Sequence, residues 1–304
     1  MTNIKTHSAH YSVQGGEELK SVKHLPSHLE SIFKIIHNAQ IRKPTFVGIG
    51  GGSVSDFTGF IASIYQRGVA FDLVPTTWLA AVDSAHGGKN ALNLESHKNQ
   101  IGTFHLARNA ILCKDILLSE PIERFQEACS EIVKIQLLTG TLLNLEFTPE
   151  TIYSSLPQLI EAKMKLVQLA LYDQKQIRAQ LNFGHTLGHA LELACELSHG
   201  TAVNLGMRFS IEWSRHLNIL EPHAIVQINS KLQCLTPPRS IKLKSMHQLK
   251  EILLFDKKLS STSKLNFIFL KDIGHPVVRA VDVNEILEEV NRQQICEFYE
   301  DSTL

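Results

Sequence analysis

Three histidines stand within fifteen residues in the stretch LNFGHTLGHALELACELSHG, at His185, His189 and His199. Imidazoles gathered this densely point to metal ligation. His185 and His189 lie at i and i+4, about 6 Å of axial rise apart, so one helix face would present both to a single ion. His199 would stand about 21 Å from His185 if the helix ran on. It can join the site only if the chain breaks and folds back, which Ser198 and Gly200 permit. A catalytic zinc-type centre takes about three protein ligands plus an open position. The chain has no Cys pair to supply them, so a further ligand must come from elsewhere. Upstream, Glu131 lies three residues before Lys134, and the two project from one face of an amphipathic pattern over Arg124 to Thr139. On spacing alone the plain account of that pair is a surface ion pair.

A second set of residues suits an anion. Thr45 to Ile49 reads as a short buried strand that runs into Gly50, Gly51 and Gly52 and on to Asp56, ahead of a helix carrying Phe57, Phe60, Ile61 and Ile64. A strand, a glycine turn and a helix N-terminus let backbone approach a pyrophosphate. GIGGGSVSD is not a clean GxGxxG, so a plain strand-to-helix turn stays open. A second buried strand, Ala70 to Val74, is closed by Pro75, Thr76 and Thr77. In a parallel sheet, Asp56, Thr76 and Thr77 would share the rim at the carboxyl ends of the strands. Beyond it, glycine- and amide-rich loops place Asp83, Lys89, Lys98 and Asn99, a set suited to a phosphate or polyol.

These residues need two kinds of scaffold. Alternating strand and helix in the first part predict a parallel, doubly wound sheet, over residues 1–121. From Pro121 the pattern becomes helix after helix, over residues 122–304: Arg124 to Thr139, Pro157 to Leu197, Asn204 to Leu217, Ala224 to Leu235 and a closing helix from Val281 to Phe298. An apolar segment, Leu265 to Leu270, interrupts the series. Thirty basic residues balance thirty acidic ones, which leaves no global field to draw in nucleic acid or an anionic membrane. Five scattered cysteines without a CxxC argue against a disulfide framework and for a reducing compartment. The polar start, MTNIKTHSAHYSVQGGEELK, has no signal-peptide core and no run reaches membrane-spanning length, so a cytoplasmic location is expected.

Taken in order, GExxK, GGGxxxD, GFxAxxYxRG, VPTT, VDSxxGGK, KNxIGxF, ExxK, LNFGHTxGHA, HGxAVxxGM and DKK resemble the 3-dehydroquinate synthase family of sugar phosphate cyclases, from about Gly15 to the C-terminal helix. The resemblance implies a Rossmann-like NAD-binding domain and a mainly α-helical metal- and substrate-binding domain. Its ligands for one divalent ion, zinc or cobalt, fall on Glu131, His185 and His199, which moves His189 from the metal to the substrate. Arg67, Lys89, Asn99, Lys134, Asn182, His189 and the Lys257-Lys258 pair fall on substrate-contacting and catalytic positions. NAD positions fall on Glu17, Lys20, Gly52 to Asp56, Thr76, Thr77, Asp83, Lys89, Lys98 and Ile116 to Ser119. The implied reaction turns 3-deoxy-arabino-heptulosonate 7-phosphate into 3-dehydroquinate and phosphate, in the shikimate route to aromatic amino acids, by transient oxidation with NAD, phosphate elimination, re-reduction and aldol closure. A homodimer with a small sugar phosphate as its partner is expected.

The sequence departs from the family at several places. Ser55, His86, Asn90 and Thr201 stand where Gly, Val, Thr and Glu are usual, and Met164 takes the register of a lysine, with Lys163 and Lys165 on either side. The family has a strand and helix ahead of GExxK, and fourteen residues precede Gly15 here. A sheet domain shortened at its N-terminus, with an apolar edge, is therefore expected. The alternatives are a cyclase acting on another six- or seven-carbon sugar phosphate and a catalytically impaired homologue that persists as a binding protein.

Overall fold

The computed structural model describes residues 8–95, 97–143, 146–172, 177–235, 241–255 and 263–298, and the chain divides into two units, Met1–Arg124 and Phe125–Leu304. In the first unit, 3₁₀ turns at Glu17–Lys20 and Val22–His24 lead into helix α1, Leu25–Asn38. Strand β1 (Phe46–Gly50), helix α2 (Gly52–Ile64), strand β2 (Phe71–Pro75) and helix α3 (Trp78–Val82) follow. An antiparallel ribbon, β3 (Lys89–Leu94) with β4 (His97–Phe104), precedes β5 (Asn109–Ala110) and helix α4 (Lys114–Leu118). β1 and β5 flank β2, both in parallel, so the sheet order is β1-β2-β5.

Glycine in β1 sets the distance between sheet and helix. A Cβ at Gly50 would lie 2.6 Å from the Val54 Cγ2 atom, so only glycine lets α2 start this close to the strand. α2 buries Phe57, Phe60 and Ile61 against Leu19, Ile32, Ile36 and Leu92, a stripe at helical spacing. The helix begins at Gly52, which places Asp56 within it and not ahead of it. On the other face of β1, Val47 and Ile49 are 53% and 63% exposed, and β1 is an edge among the described strands.

Helix α5 (Ile122–Thr139) leads into the second unit, which continues with α6 (Pro149–Tyr172), α7 (Ile177–Gln180), α8 (His185–Cys195), α9 (His199–His216) and α10 (Ala224–Leu232). Strand β6 (Ile241–Leu243), helix α11 (Met246–Phe255), the antiparallel hairpin β7 (Lys264–Asp272) with β8 (His275–Asp282), helix α12 (Val283–Arg292) and strand β9 (Cys296–Phe298) complete it. β9 pairs in parallel with β6. The core gathers Leu187, Leu191, Leu205 and Val290 around Phe209, Trp213, Phe267 and Phe269.

Three sequence expectations are corrected. α5 is not amphipathic in its second half: every residue from Ala128 to Leu138 is buried, so the Glu131–Lys134 pair is not a surface pair. The helical stretch expected over Pro157 to Leu197 is interrupted: α7 stops at Gln180, a turn follows, and α8 starts after Gly184, whose φ of +77° is left-handed, a conformation that favours glycine. A Cβ there would also lie 2.8 Å from the Met207 backbone nitrogen. The closing helix is shorter than Val281 to Phe298. Asp282 caps α12 through a capping box with Glu285, and beyond Arg292 a left-handed Gln294 (φ +51°) turns the chain into β9. All five cysteines are free. Among the described residues, no helix is long and apolar enough to cross a membrane.

Candidate active site

A carboxylate with no exposure must be neutralised by its neighbours, and Glu131 on α5 is such a group. One turn on, Lys134 forms an ion pair with its Oε2 atom; the lysine side chain is 5% exposed. The other oxygen, Oε1, lies 3.3 Å from Nε2 of both His185 and His199. The donor atoms of these three residues all fall within 4.8 Å of one another. His185 opens α8, and its Nδ1–H donates to the Phe183 carbonyl at 3.1 Å, which leaves Nε2 as the free lone pair. His199 is reached by the reversal that spacing only permitted. Glu196 adopts φ +51°, Ser198 takes the extended N-cap conformation, and His199 is the first residue of α9. Two contacts clamp that helix start to α5: the Ser130 hydroxyl donates to the Gly200 carbonyl at 2.8 Å, and a Cβ at Gly200 would collide with the Glu127 backbone.

His189 sits one turn along α8, its ring 5.0 Å from that of His185 and 6.1 Å from that of His199. It keeps an exposed edge and falls outside the group built on Glu131. A second constellation joins His189 and His199 to Glu192, whose Oε2 lies 3.2 Å from His199 Nδ1. Sequence reasoning missed Glu192, although it lies seven residues after His185 and three after His189, on the same helical face. Asn182, in the turn before α8, accepts a hydrogen bond from the His185 amide at 2.8 Å through its backbone carbonyl, and its side chain is exposed. Lys257 and Lys258 lie outside the described residues.

The electrostatics follow from this packing. Burial pushes the Glu131 carboxyl up, but Lys134 and the two imidazoles outweigh it and hold the group well below the carboxylate range. Burial, with help from Lys134, lowers His185, and Glu131 opposes the shift. His189 is lowered to about 4 by burial and by the two neighbouring histidines. Burial also works against the charge on His199, yet hydrogen bonds to Glu131 and Glu192 raise it to about 10. Near neutrality, then, His185 and His189 are neutral and His199 carries a proton that a metal ion must displace. One carboxylate and two imidazoles converging in this way fit a divalent ion with a free coordination position.

In the first unit the structure joins four of the predicted residues and one that was not predicted. Lys20, almost fully buried, pairs with Asp56 Oδ2 at 2.6 Å and donates to Asn99 Oδ1 at 2.6 Å. Asn93 donates to Glu17 Oε2 at 2.9 Å and accepts from the Asn99 backbone amide at 2.9 Å, holding Asn99 at φ +58°. Burial raises the Asp56 carboxyl; Lys20 opposes the shift, and Glu17 and Asp83 add to it. Beside this network, α2 begins at an extended Gly51 with no side-chain cap. Its first turn faces Thr77, which caps α3, and Ser84: a Cβ at Gly51 would lie 3.1 Å from Thr77 Cγ2, and one at Gly52 3.6 Å from the Ser84 hydroxyl. That hydroxyl is buried without a hydrogen-bond partner. Thr76 donates its amide to the Gly50 carbonyl at 2.9 Å. An uncapped helix N-terminus, a glycine approach and an orphaned hydroxyl fit a nucleotide phosphate. Arg67 (φ +68°), Lys89, Lys98 and Ser119 are exposed on the turn after α2, on β3, on β4 and at the end of α4.

The departures from the family pattern are satisfied within the fold. His86 is buried with Nε2 at 2.9 Å from the Ala81 carbonyl. Asn90 donates to the carbonyls of Gly88 and His105, and a Cβ at Gly59 would strike it. Thr201 accepts from the Ser198 hydroxyl at 3.0 Å, and Ser55 donates to the Gly51 carbonyl.

The 3-dehydroquinate synthase N-terminal family model matches residues 10–127, and the 3-dehydroquinate synthase C-terminal model matches residues 128–259. A 3-dehydroquinate synthase of Campylobacter hominis is 33% identical over 272 residues, 86% of this chain and 78% of that protein. A bifunctional shikimate kinase/3-dehydroquinate synthase of Thermotoga maritima is 32% identical over 284 residues, 91% of this chain; the chain spans 57% of that longer protein. A crystal structure of 2-deoxy-scyllo-inosose synthase, complexed with carbaglucose-6-phosphate, NAD+ and Co2+, superposes with a TM-score of 0.77 at 28% identity, covering 92% of this chain and 81% of its own. With both family models matched across most of its length and a relative this similar, the chain belongs to the 3-dehydroquinate synthase family.

Proposed function

We propose that the chain is a metal- and NAD-dependent 3-dehydroquinate synthase, which converts 3-deoxy-arabino-heptulosonate 7-phosphate into 3-dehydroquinate and inorganic phosphate. The observation that carries this reading is the convergence of Glu131 with His185 and His199, Nε2 of each 3.3 Å from the same carboxylate oxygen. Those three residues would hold one zinc or cobalt ion, and the first turn of α2 with Lys20, Asp56, Thr76, Thr77 and Asp83 would hold NAD. When bound, the metal supplies Lewis acidity toward a substrate hydroxyl, and NAD supplies a hydride acceptor that is restored within the turnover.

The chain's own residues would do the rest. Glu131 is kept anionic for its ligand role by Lys134. His185 offers Nε2 because Phe183 occupies Nδ1. His189, neutral down to about pH 4, is available to accept a proton from a substrate hydroxyl or return it. Arg67, Lys89, Asn99, Asn182 and Lys257 would bind the phosphate, carboxylate and hydroxyls. With so few acid–base groups, the contribution is mainly positioning and charge stabilisation. We also expect a homodimer, to be checked by sedimentation.

The test is release of inorganic phosphate from the heptulosonate phosphate by the protein supplied with NAD and Co2+, abolished by a chelator. No release under those conditions would reject the reading. The likeness to 2-deoxy-scyllo-inosose synthase favours one alternative, a cyclase acting on another sugar phosphate. A panel of six- and seven-carbon sugar phosphates, read by product mass, separates the two.

A further inference from the structure

The reading above assigns Glu131, His185 and His199 and leaves Glu192 without a part. We propose that Glu192 is a positioning residue for the metal centre: its carboxylate holds the Nδ1–H of His199, so that the ring presents Nε2 to the ion. The inference rests on the metal reading and adds a residue to it.

The geometry is specific. Glu192 Oε2 lies 3.2 Å from His199 Nδ1, while Nε2 of the same ring lies 3.3 Å from Glu131 Oε1. An imidazole whose two nitrogens face two carboxylates has one orientation that satisfies both. His185 achieves the same end by a weaker route, with a neutral carbonyl, that of Phe183, at its Nδ1. The two histidines therefore differ. His185 is fixed by backbone within its own turn, whereas His199, the first residue of α9, has its outer nitrogen fixed by a side chain from α8. A carboxylate behind a metal-bound imidazole fixes the tautomer and raises ligand basicity, and loss of such a partner commonly weakens metal affinity 10–100-fold. Glu192 can serve because α8 and α9 pack closely: a Cβ at Gly188 would lie 2.9 Å from the Ala202 carbonyl oxygen.

The competing use of the same atoms is direct ligation by Glu192 with His189 and His199. It would take His199 through Nδ1 and leave Glu131, the wholly buried carboxylate, without the ion, so the geometry favours the positioning role.

The experiment compares wild type, Glu192→Gln and Glu192→Ala, each loaded with Co2+. Competition with a chromophoric chelator gives the affinity, and the visible ligand-field spectrum gives the coordination. Glu192→Ala should bind Co2+ about 10–100-fold more weakly with an unchanged ligand-field spectrum. Glu192→Gln, nearly isosteric and still an acceptor for Nδ1–H, should fall between the two; it guards against a folding defect in the alanine variant. Equal affinity in all three proteins, or a changed ligand-field spectrum in Glu192→Ala showing that a ligand was lost, would overturn the proposal. Wild type that takes up no Co2+ would overturn the metal reading, and this inference with it. Tight binding by wild type and alanine variant alike overturns this inference alone.

Discussion

Replacing Lys134 with methionine probes the centre of the site through one buried charge. Glu131 has no exposure and the lysine side chain 5%, so the substitution keeps the apolar stem and removes the ammonium that neutralises a carboxylate inside the protein. Breaking a buried pair from one side costs about 3–5 kcal/mol. The protonated His199 remains beside Glu131, which places the expected loss at the lower end, about 3 kcal/mol. The loss should depend on the metal. A bound dication replaces the missing positive charge, so saturating Co2+ should restore most of the stability, and by the same thermodynamic cycle Co2+ should bind Lys134→Met more tightly than wild type. The pH dependence has a definite sign. Glu131 is depressed in the folded state, so its contribution is present above the ordinary carboxylate value of 4.5 and is lost as pH falls toward the folded one. Without Lys134 that loss should begin at higher pH. Urea denaturation at several pH values, with and without Co2+, measures all of this. A deficit under about 1 kcal/mol, the scale of an exposed pair, or a deficit indifferent to Co2+, would refute the electrostatic account.

Further predictions concern neighbouring groups. His199→Ala should lose metal, whereas His189→Ala should keep metal and lose turnover; an equal fall in metal content would return the site to the i, i+4 pair. In the metal-free protein, His199 is raised to about 10, so its stabilising contribution is full below its ordinary 6.5 and disappears as pH rises through 10. Metal uptake at pH 7 should therefore release about one proton, measurable by calorimetry in buffers of different ionisation enthalpy. His189, held at about 4, should act in the opposite sense and remove stability as pH falls from 6.5 toward 4. Asn93→Ala removes the hydrogen bonds to Glu17 and to the Asn99 amide, both on exposed residues, and should cost about 1 kcal/mol, with NAD affinity about tenfold weaker by calorimetry.

Much of the fold was legible because periodicity reports burial directly. The runs Thr45 to Ile49 and Ala70 to Val74 fall within one residue of the adjacent parallel strands β1 and β2, and the glycines between strand and helix mark a close approach. The misplaced helix ends share a cause: short backbone turns that periodicity cannot see. A left-handed Gly184 breaks the chain just before α8, and Glu196 to Ser198 reverse it, so His199, which spacing set apart from His185 and His189, comes from a second helix. Spacing favoured His185 with His189, and only the ordered resemblance put Glu131 and His199 forward. Asn93 and Glu192 were invisible for another reason. Each acts by holding a residue of another element, Asn93 with Glu17 and Glu192 with His199, and such pairing appears only once the elements are packed.

The proposed function is a phosphate-eliminating cyclisation with no net oxidation. The most direct measurement follows inorganic phosphate, 3-dehydroquinate and NADH together as the Co2+-loaded protein meets NAD and 3-deoxy-arabino-heptulosonate 7-phosphate. The proposed function requires phosphate and 3-dehydroquinate to rise in equal amounts over many turnovers, without accumulating NADH. NADH building up without phosphate release, or no product at all from metal-loaded protein, would contradict it.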